Sequence, residues 1–584
     1  MKFRWSLAPS QPLLAGQLAS QLKISPLLAQ CLLNRGISEI PIAENFLAPR
    51  LKSLADPFLL PNMEQAVQRL FRAREQDEPL VIYGDYDVDG VTSTALLMEV
   101  LSALGWRVRF YLPNRIAEGY GLSAEGVDNC LKKFLNQAEA NPKMLLLAVD
   151  CGSTAVETIQ KLRERGIDVI VLDHHQVSDP PPNAVALVNP QLSVSDSRRP
   201  TSFVELCSVG LAFKLAHAIL KRGREMNLPG AAEFDLKPLL DLVALGTIAD
   251  LVPLVGENRI LVSAGLHQLN QTQRPGLVAL KKVSKAAEKI GTYEVGYQFG
   301  PRLNAAGRLE TAESALNLLL SKSLGEAMPM AQELDLQNRE RQKIEKTIVK
   351  EVIAIIRAKF DAQNDFVIVE GELLWHIGVV GIVASRVLQE FYRPTIIIGG
   401  ENGEMRGSGR SIHGFDLAAA LRECNGLLVR HGGHAMAAGL SILPDQIDLL
   451  RKKLNDLARR TLKPDDLQPS LRLDAEVGLE EINYQSLAEL DKMKPCGQEN
   501  PAMQFCARNL SHTRPLQRLG AEKQHVKMWV GDGTATHEAV WWNNGQSSLP
   551  VGRFDMAFQP QINQYNGKSS VQLKVLDWQP AKSS

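Results

Sequence analysis

Three apolar runs in the first half of the chain each end on an aspartate. LVIYG runs into Asp85, MLLLAV into Asp150 and IDVIVL into Asp173. Unbroken apolar runs of this length are what a strand buried on both faces requires. Helix-compatible stretches, VTSTALLMEVLSAL and TAVETIQKLRERG, lie between or after them. Strand and helix in alternation over about residues 60–270 predict an α/β fold with a doubly wound parallel sheet. In such a sheet the groups just past the carboxyl ends of the strands face one crevice, so these aspartates are expected to converge.

The chain is 584 residues long, several times the usual size of one domain. An N-terminal segment (1–59) precedes the sheet-bearing domain (60–324). Residues 325–360, AMPMAQELDLQNRERQKIEKTIVKEVIAIIRAKF with flanks, hold no glycine after Gly325 and no proline after Pro329, and predict one long helix. A second α/β domain is expected over 361–465, from DFVIVEGE through PTIIIGG to DQIDLLRKKLNDLARR. Pro464 and Pro469 mark a linker. Beyond them, over 466–584, HVKMWVGDG, HEAVWWNNG, FDMAFQP and VQLKVLDW read as short strands of a small β barrel such as an OB fold.

Lys and Arg number 65 against 65 Asp and Glu, so there is no global attraction to a polyanion, and any nucleic-acid affinity must come from local basic clusters. No apolar run approaches the ~18 residues of a membrane helix, and the opening MKFRWSLAPSQPLL lacks the core of a signal peptide, so a cytoplasmic location is expected. The cysteines (Cys31, Cys130, Cys151, Cys207, Cys424, Cys496, Cys506) form no C-x-x-C pair, which fits a reducing compartment and gives no sign of a zinc ribbon.

The segment Gly84-Asp85-Tyr86-Asp87-Val88-Asp89-Gly90 sets three carboxylates at alternate positions directly after a buried strand. Crowded carboxylates repel and resist ionisation unless a cation neutralises them, and hard oxygen donors suit Mg²⁺ or Mn²⁺. The pattern also opens like a Ca²⁺ loop, but that loop needs a Glu six residues after its Gly, where this chain has Leu96. Asp150 in AVDCGS and Asp173-His174-His175 supply further carboxylate and imidazole donors. A lone histidine is more often a core or surface residue. Two of them after a third Asp-terminated strand of one sheet favour the site. Asp250 in GTIADLVPL ends a helix-like run and could reach the same crevice.

GDYDVDG, AVDCGS, VLDHH and GTIADLVPL resemble, in order, the four motifs of the DHH phosphoesterase superfamily. The resemblance extends to PRLNAAGR (Arg302, Asn304, Arg308), a substrate motif, and to GSGRS and HGGHAMAAG (Arg410, His434), which match the accessory DHHA1 domain. It covers about residues 60–580 and is similar to the branch of single-strand-specific 5′→3′ exodeoxyribonucleases that carry an OB fold. It implies two Mn²⁺ or Mg²⁺ ions held by Asp87, Asp89, Asp150, His174 and Asp250, with Asp150 as the bridge and His175 on the scissile phosphate. Asp85 has no counterpart in other members. The implied reaction is two-metal hydrolysis, with in-line attack of water on phosphorus and no covalent enzyme intermediate. DNA repair and recombination, a single-strand-binding protein and a helicase as partners, and a monomer are implied with it.

The accessory residues can be read from chemistry alone. Glycines in RGSGRS let backbone N–H groups approach phosphate oxygens, and Arg406 and Arg410, with Ser408, provide charged donors suited to a DNA end. A single Gly-rich stretch is otherwise a turn, and HGGH lacks the further ligands of a zinc site. Arg115, Glu118 and Tyr120 in PNRIAEGYGLS follow another strand and are candidates for the same groove or for structural roles. In the barrel, Arg514, Arg518, Lys523, Lys527 and Lys568 interleave with Trp529, Trp541, Trp542 and Tyr565, the composition of a single-strand groove, although tryptophans in a small barrel are often core. Two rival functions are a hydrolase of small substrates and a scaffold without activity. An extended basic and aromatic track argues against the first, and the complete set of ligand positions against the second.

Overall fold

In the computed structural model, which describes residues 3–115, 118–119, 121–134, 144–192, 201–309, 311–401, 404–565 and 567–581, the apolar runs form the centre of a five-stranded parallel sheet. Its strands are β1 (Leu80–Gly84), β2 (Val108–Tyr111), β3 (Leu145–Val149), β4 (Asp168–Leu172) and β5 (Ala186–Val188), in the spatial order β2-β1-β3-β4-β5. Alternate residues face opposite ways. Leu80, Ile82, Leu147 and Leu172 join one core cluster, while Val81, Tyr83, Leu146 and Val171 join another, which is why these strands read as continuous apolar runs. In this order the chain reverses direction across the sheet between β1 and β3, and a crevice opens there beyond their carboxyl ends. Asp85 and Asp150 follow those two strands.

The helix after β1, α1 (Val88–Ala103), is buried on nearly every side, wedged among α2 (Ser208–Glu225) and α3 (Leu240–Ala249). That burial explains its lack of a polar face. The long helix is present as Leu324–Lys359.

The chain divides into two compact units, one of residues 48–341 with 495–501, the other of residues 1–47, 342–494 and 502–584. The boundary falls within the long helix, between Arg341 and Gln342. Residues 495–501, expected with the barrel, group instead with the sheet-bearing unit, where Gln498 O accepts from Leu254 N at 2.9 Å. In the other unit a five-stranded sheet runs Leu428–Gly433, Ala437–Ile442, Glu404–Arg410, Thr395–Glu401, Ile368–Glu372, antiparallel except for the last pair.

The C-terminal strands close a barrel in the order Phe505–Leu519, His525–Gly531, Thr536–Trp541, Lys568–Pro580, Phe554–Tyr565 and back to the first. This is the OB arrangement that the short strands suggested. The N-terminal segment does not stand alone: residues 1–47 share the barrel's unit. Strand Arg4–Leu7 pairs in parallel with Ser470–Leu473, and Leu28, Leu32 and Phe46 enter the barrel's core. Asn34 Nδ2 donates to Asp474 O at 2.8 Å, and Arg35 Nη1 lies 3.0 Å from Asp474 Oδ1 with both side chains nearly buried. Each fully buried leucine contributes roughly 1.5–3 kcal/mol, so the attachment is substantial. Pairing across more than four hundred residues leaves no local sequence signal. Among the described residues no helix is long and apolar enough to cross a membrane, and no disulfide links the cysteines.

Candidate active site

The crevice past β1, β3 and β4 gathers Asp85, Asp87, Asp89, Asp150, Asp173, His174 and His175, and the C-terminal end of α3 adds Asp250. Asp87 caps α1, its Oδ1 accepting from Asp89 N at 2.9 Å and Gly90 N at 3.2 Å, which fixes the turn from strand to helix. Asp89 is buried. Its two oxygens accept from Ser208 N at 2.7 Å and Val209 N at 2.8 Å, so the N-terminus of α2 partly neutralises it. Burial and then Asp87 still push its pKa up to about 7, against those two N–H groups. Asp150 has φ of 64°, a left-handed conformation that turns its carboxylate into the crevice, where Ser208 Oγ donates to Oδ1 at 2.9 Å.

Burial, and after it the negative charge of Asp89, Asp87, Asp85 and Asp250, drives the Asp150 carboxyl well above the usual range. Asp85 is raised by burial and then by Asp87, and Asp250 by burial and then by Asp89 and Asp87. Among the described residues, buried Asp85 Oδ1 and Asp250 Oδ2 have no hydrogen-bond partner. Buried acceptors left without donors beside like charges are what a bound cation resolves. Ligand atoms lie within 4.8 Å of one another in three groups: Asp85, Asp87 and Asp150; Asp150, His174 and His175; Asp89, Cys207 and Asp250. His174 Nε2 stands 3.5 Å from Asp250 Oδ2, 3.6 Å from Asp150 Oδ1 and 3.9 Å from Asp89 Oδ2. Two ligand sets therefore meet at Asp150. Burial keeps Cys207 a neutral thiol, and the remaining carboxylate and imidazole donors fit Mn²⁺ or Mg²⁺.

Asp173 serves a different purpose from its neighbours. Its oxygens accept from Ser153 N at 3.0 Å, His174 N at 2.8 Å and His175 N at 3.2 Å, and Oδ1 holds His175 Nδ1 at 2.8 Å. Burial works against its ionisation, but the His175 hydrogen bond and charge, with Ser153, hold it below the usual carboxylate range. For His175, burial lowers the pKa, while the Asp173 hydrogen bond and the charges of Asp173, Asp85 and Asp87 more than offset it, leaving about 8. The sequence offers Asp173 as a further donor beside His174 and His175, whereas in the structure it holds His175; Ser208 is not marked by the sequence at all. The serine carries no motif, and its place at the start of α2 is a matter of packing.

Beside the cluster, Arg115 lies over the Tyr86 ring at 5.2 Å, and its charge favours ionised Asp85. Helix Gly300–Leu309 packs on the same turn. Asn304 Oδ1 accepts from Val88 N at 3.2 Å, Arg308 acts on Tyr86, and a Cβ at Gly307 would come within 2.7 Å of Tyr86 O. Arg302 is committed elsewhere, to Asp335 at 2.8 Å and Gln298 O at 2.7 Å. Glu118 staples its loop, accepting from Tyr111 Oη at 2.7 Å, Asn114 N at 2.9 Å and Asn129 Nδ2 at 2.6 Å. Tyr120 lies outside the described residues.

In the other unit, Arg406, Ser408 and Arg410 alternate along Glu404–Arg410, and Arg410 Nη1 donates to Ser408 Oγ at 3.0 Å and Gly409 O at 2.8 Å. Gly381, in the first turn of helix Val380–Phe391, is pressed against them: a Cβ there would lie 2.9 Å from Ser408 Oγ. His434 is exposed in the hairpin before Ala437–Ile442. On the barrel, Trp529 shares an outward face with Lys527, with Arg514 at 5.5 Å and Lys527 at 5.0 Å from its ring, and Trp542 is exposed, whereas Trp541 is in the core.

The chain matches the DHH family, N-terminal domain over residues 79–247, the DHHA1 domain over 364–460 and the RecJ OB domain over 473–577. The single-stranded-DNA-specific exonuclease RecJ of Bacillus subtilis is 37% identical over 582 residues, covering 99% of this chain and 71% of that relative. The Escherichia coli protein of the same description is 34% identical over 584 residues, covering 95% of this chain and 96% of its own. Among solved structures, RecJ from Thermus thermophilus in complex with Mn²⁺ is similar with a TM-score of 0.83 at 28% identity, covering 99% of this chain and 80% of that one. The complex with Mg²⁺ from the same organism gives 0.77 at 27% identity, covering 99% and 79%.

Proposed function

Because this chain belongs to the RecJ family of DHH phosphoesterases, we infer that it is a metal-dependent exonuclease that hydrolyses phosphodiester bonds of single-stranded DNA. The observation that carries the reading is the meeting of two ligand sets at Asp150. Asp85, Asp87 and Asp150 would hold one divalent cation, and Asp89, Asp150, His174 and Asp250 the other. Such a pair acidifies a water and stabilises the charge on the leaving oxygen. The chain's own residues do the rest. Asp173 orients His175 to donate to a phosphate oxygen, α2 fixes Asp89 and Asp150 through Ser208 and Val209, and Asn304 anchors the start of α1. Arg115, over the Tyr86 ring, and Arg308, whose charge also reaches Tyr86, would meet the strand's phosphates.

Polarity from the 5′ end rests on Ser408, Arg410, Arg406 and His434 as the seat of a terminal phosphate, next to the first turn of helix Val380–Phe391. Trp529 between Arg514 and Lys527 supplies a stacking platform on the barrel, which a hydrolase of small substrates does not need. A role in repair and recombination, action as a monomer, and partnership with a single-strand-binding protein and a helicase are what the resemblance implies, and a cytoplasmic location is the expectation from the apolar pattern of the sequence. Digestion of single- and double-stranded DNA labelled at either end, with Mn²⁺, Mg²⁺ or chelator, tests substrate, polarity and metal together. Digestion that survives chelation, or that prefers duplex, refutes the reading.

A further inference from the structure

A second basic and aromatic surface lies in the sheet-bearing unit itself and shares no residue with the metal-ligand cluster. Helix Pro275–Ser284 and the segment Thr292–Phe299 pack together and enclose a cleft of about 460 Å³. Leu277, Ile290 and Phe299 line it with apolar atoms, and Lys281, Lys282 and Lys285 line it with charge. Lys282 and Lys285 are exposed, while Lys281 Nζ is tethered to Glu288 O at 2.7 Å. The cleft is of a size that takes a small ligand or one residue of a polymer.

Between Ile290 and Phe299, both in the cleft, the chain presents Tyr293 and Tyr297, which are 61% and 71% exposed. Their rings are stacked, with centroids 4.9 Å apart and planes at 28°. Two large rings held parallel in solvent are costly to leave bare, and each outer face accepts another flat ring. The backbone carrying Tyr297 is a π-helical turn, Val295–Phe299, an irregularity that concentrates at functional sites. It continues directly into helix Gly300–Leu309, whose Asn304 and Gly307 sit on the Asp85–Val88 turn. Asn304 thus follows Tyr297 by seven residues along one continuous helical path.

We propose that Tyr293 and Tyr297, with Lys282 and Lys285, form an accessory binding site for single-stranded DNA on the catalytic unit, the rings stacking on bases and the lysines meeting the backbone. Four lysines over residues 281–297 outnumber the two glutamates, Glu288 and Glu294, so the patch carries the charge that a phosphodiester chain requires. Stacking on aromatic side chains is tolerant of sequence, as an exonuclease that must pass every base demands. This site rests on the reading of the chain as a single-strand exonuclease and adds to it a grip that is independent of the barrel.

The test is binding of a long deoxyoligonucleotide in chelator, followed by fluorescence anisotropy, for the intact protein and for Tyr293→Ala/Tyr297→Ala and Lys282→Glu/Lys285→Glu. The tyrosine variant should bind about tenfold more weakly, and the difference should shrink on an abasic strand of equal length. The lysine variant should show a shallower dependence on salt. Photocrosslinking of a strand bearing 5-iododeoxyuridine should place adducts on Tyr293 or Tyr297. Wild-type affinity in the tyrosine variant, with adducts elsewhere, overturns the site while leaving the exonuclease standing. Intact DNA affinity together with lost binding of a protein partner or a small anion also overturns it. If the unaltered protein neither binds nor digests single strands, the exonuclease reading falls and takes this site with it.

Discussion

The energetic consequence of the metal centre can be measured without any substrate. Asp85 Oδ1 and Asp250 Oδ2 are buried acceptors without donors, each worth about 1–3 kcal/mol of lost stability, so roughly 2–6 kcal/mol is recovered when a cation satisfies both. Linkage gives a second route to the same quantity. A ligand at a hundred times its Kd stabilises the folded form by about 2.7 kcal/mol, hence about 5 kcal/mol for two sites. For a unit of this size, about 2 °C accompanies each kcal/mol, so saturating Mn²⁺ should raise its melting temperature by roughly 10 °C over the protein in chelator. Asp150→Asn is the informative variant. Asparagine tolerates the left-handed φ of 64° and can still accept from Ser208, but it removes the charge shared by both ligand sets. In chelator it should melt at or above the unaltered protein because a like charge has gone. In Mn²⁺ it should gain less than half the shift, and its nuclease activity should fall by more than an order of magnitude. Differential scanning calorimetry of both proteins, with and without metal, decides the matter. A full Mn²⁺ shift in Asp150→Asn would refute the bridging role.

Other outcomes follow from single contacts. Ser208→Ala removes the hydroxyl that orients Asp150, and loss of such an outer contact weakens metal affinity or activity by about 10–100-fold. The half-saturating Mn²⁺ concentration should therefore rise, with kcat largely recovered at high metal, and an unchanged metal titration would exclude the role. Arg410→Ala should reduce discrimination between 5′-phosphate and 5′-hydroxyl ends in competition digests, and retained discrimination removes the phosphate-seat assignment. Trp529→Ala should weaken binding of long single strands by roughly fivefold to a hundredfold while leaving the melting temperature near its starting point. Trp541→Ala should do the reverse, destabilising the barrel by about 3–5 kcal/mol through a core cavity. Equal effects of the two tryptophans on melting would contradict their placement.

Strand ends were the most legible feature of the sequence, because unbroken apolar runs leave few alternatives and the aspartates after them have one place to go. Asp85, Asp87, Asp89 and Asp150 need only that logic, and Asp250 is a candidate from the end of a helix-like run, to which the family resemblance adds a ligand role. Ser208 could not be found this way, since a serine opening an apolar helix is common and its partner is 58 residues distant. Arg302 and Asn304 show the opposite difficulty: a motif marks them as important without saying whether they touch substrate. In the structure one is held by Asp335 and the other holds the backbone of Val88. Trp529, between Met528 and Val530, and Trp541, between Val540 and Trp542, lie on neighbouring strands and differ in which face of the barrel they occupy. The N-terminal segment was opaque altogether, because its apolar positions are complementary to residues far away. A chain cut near Pro469 would leave Leu28, Leu32 and Phe46 without their partners.

That pairing sets a timetable for synthesis. Residues 4–7 and the helices behind them leave the ribosome well before the strand and core that receive them, which begin only at Ser470. At about 5–20 residues per second, the intervening ~420 residues take roughly 20–85 s to emerge. Throughout that interval the catalytic unit can fold around its own sheet while the leading helices hold an apolar face in water. These early-made residues are thus among the last to be buried, and it is there that a holding chaperone, or a slow stretch of translation, has the greatest effect on yield.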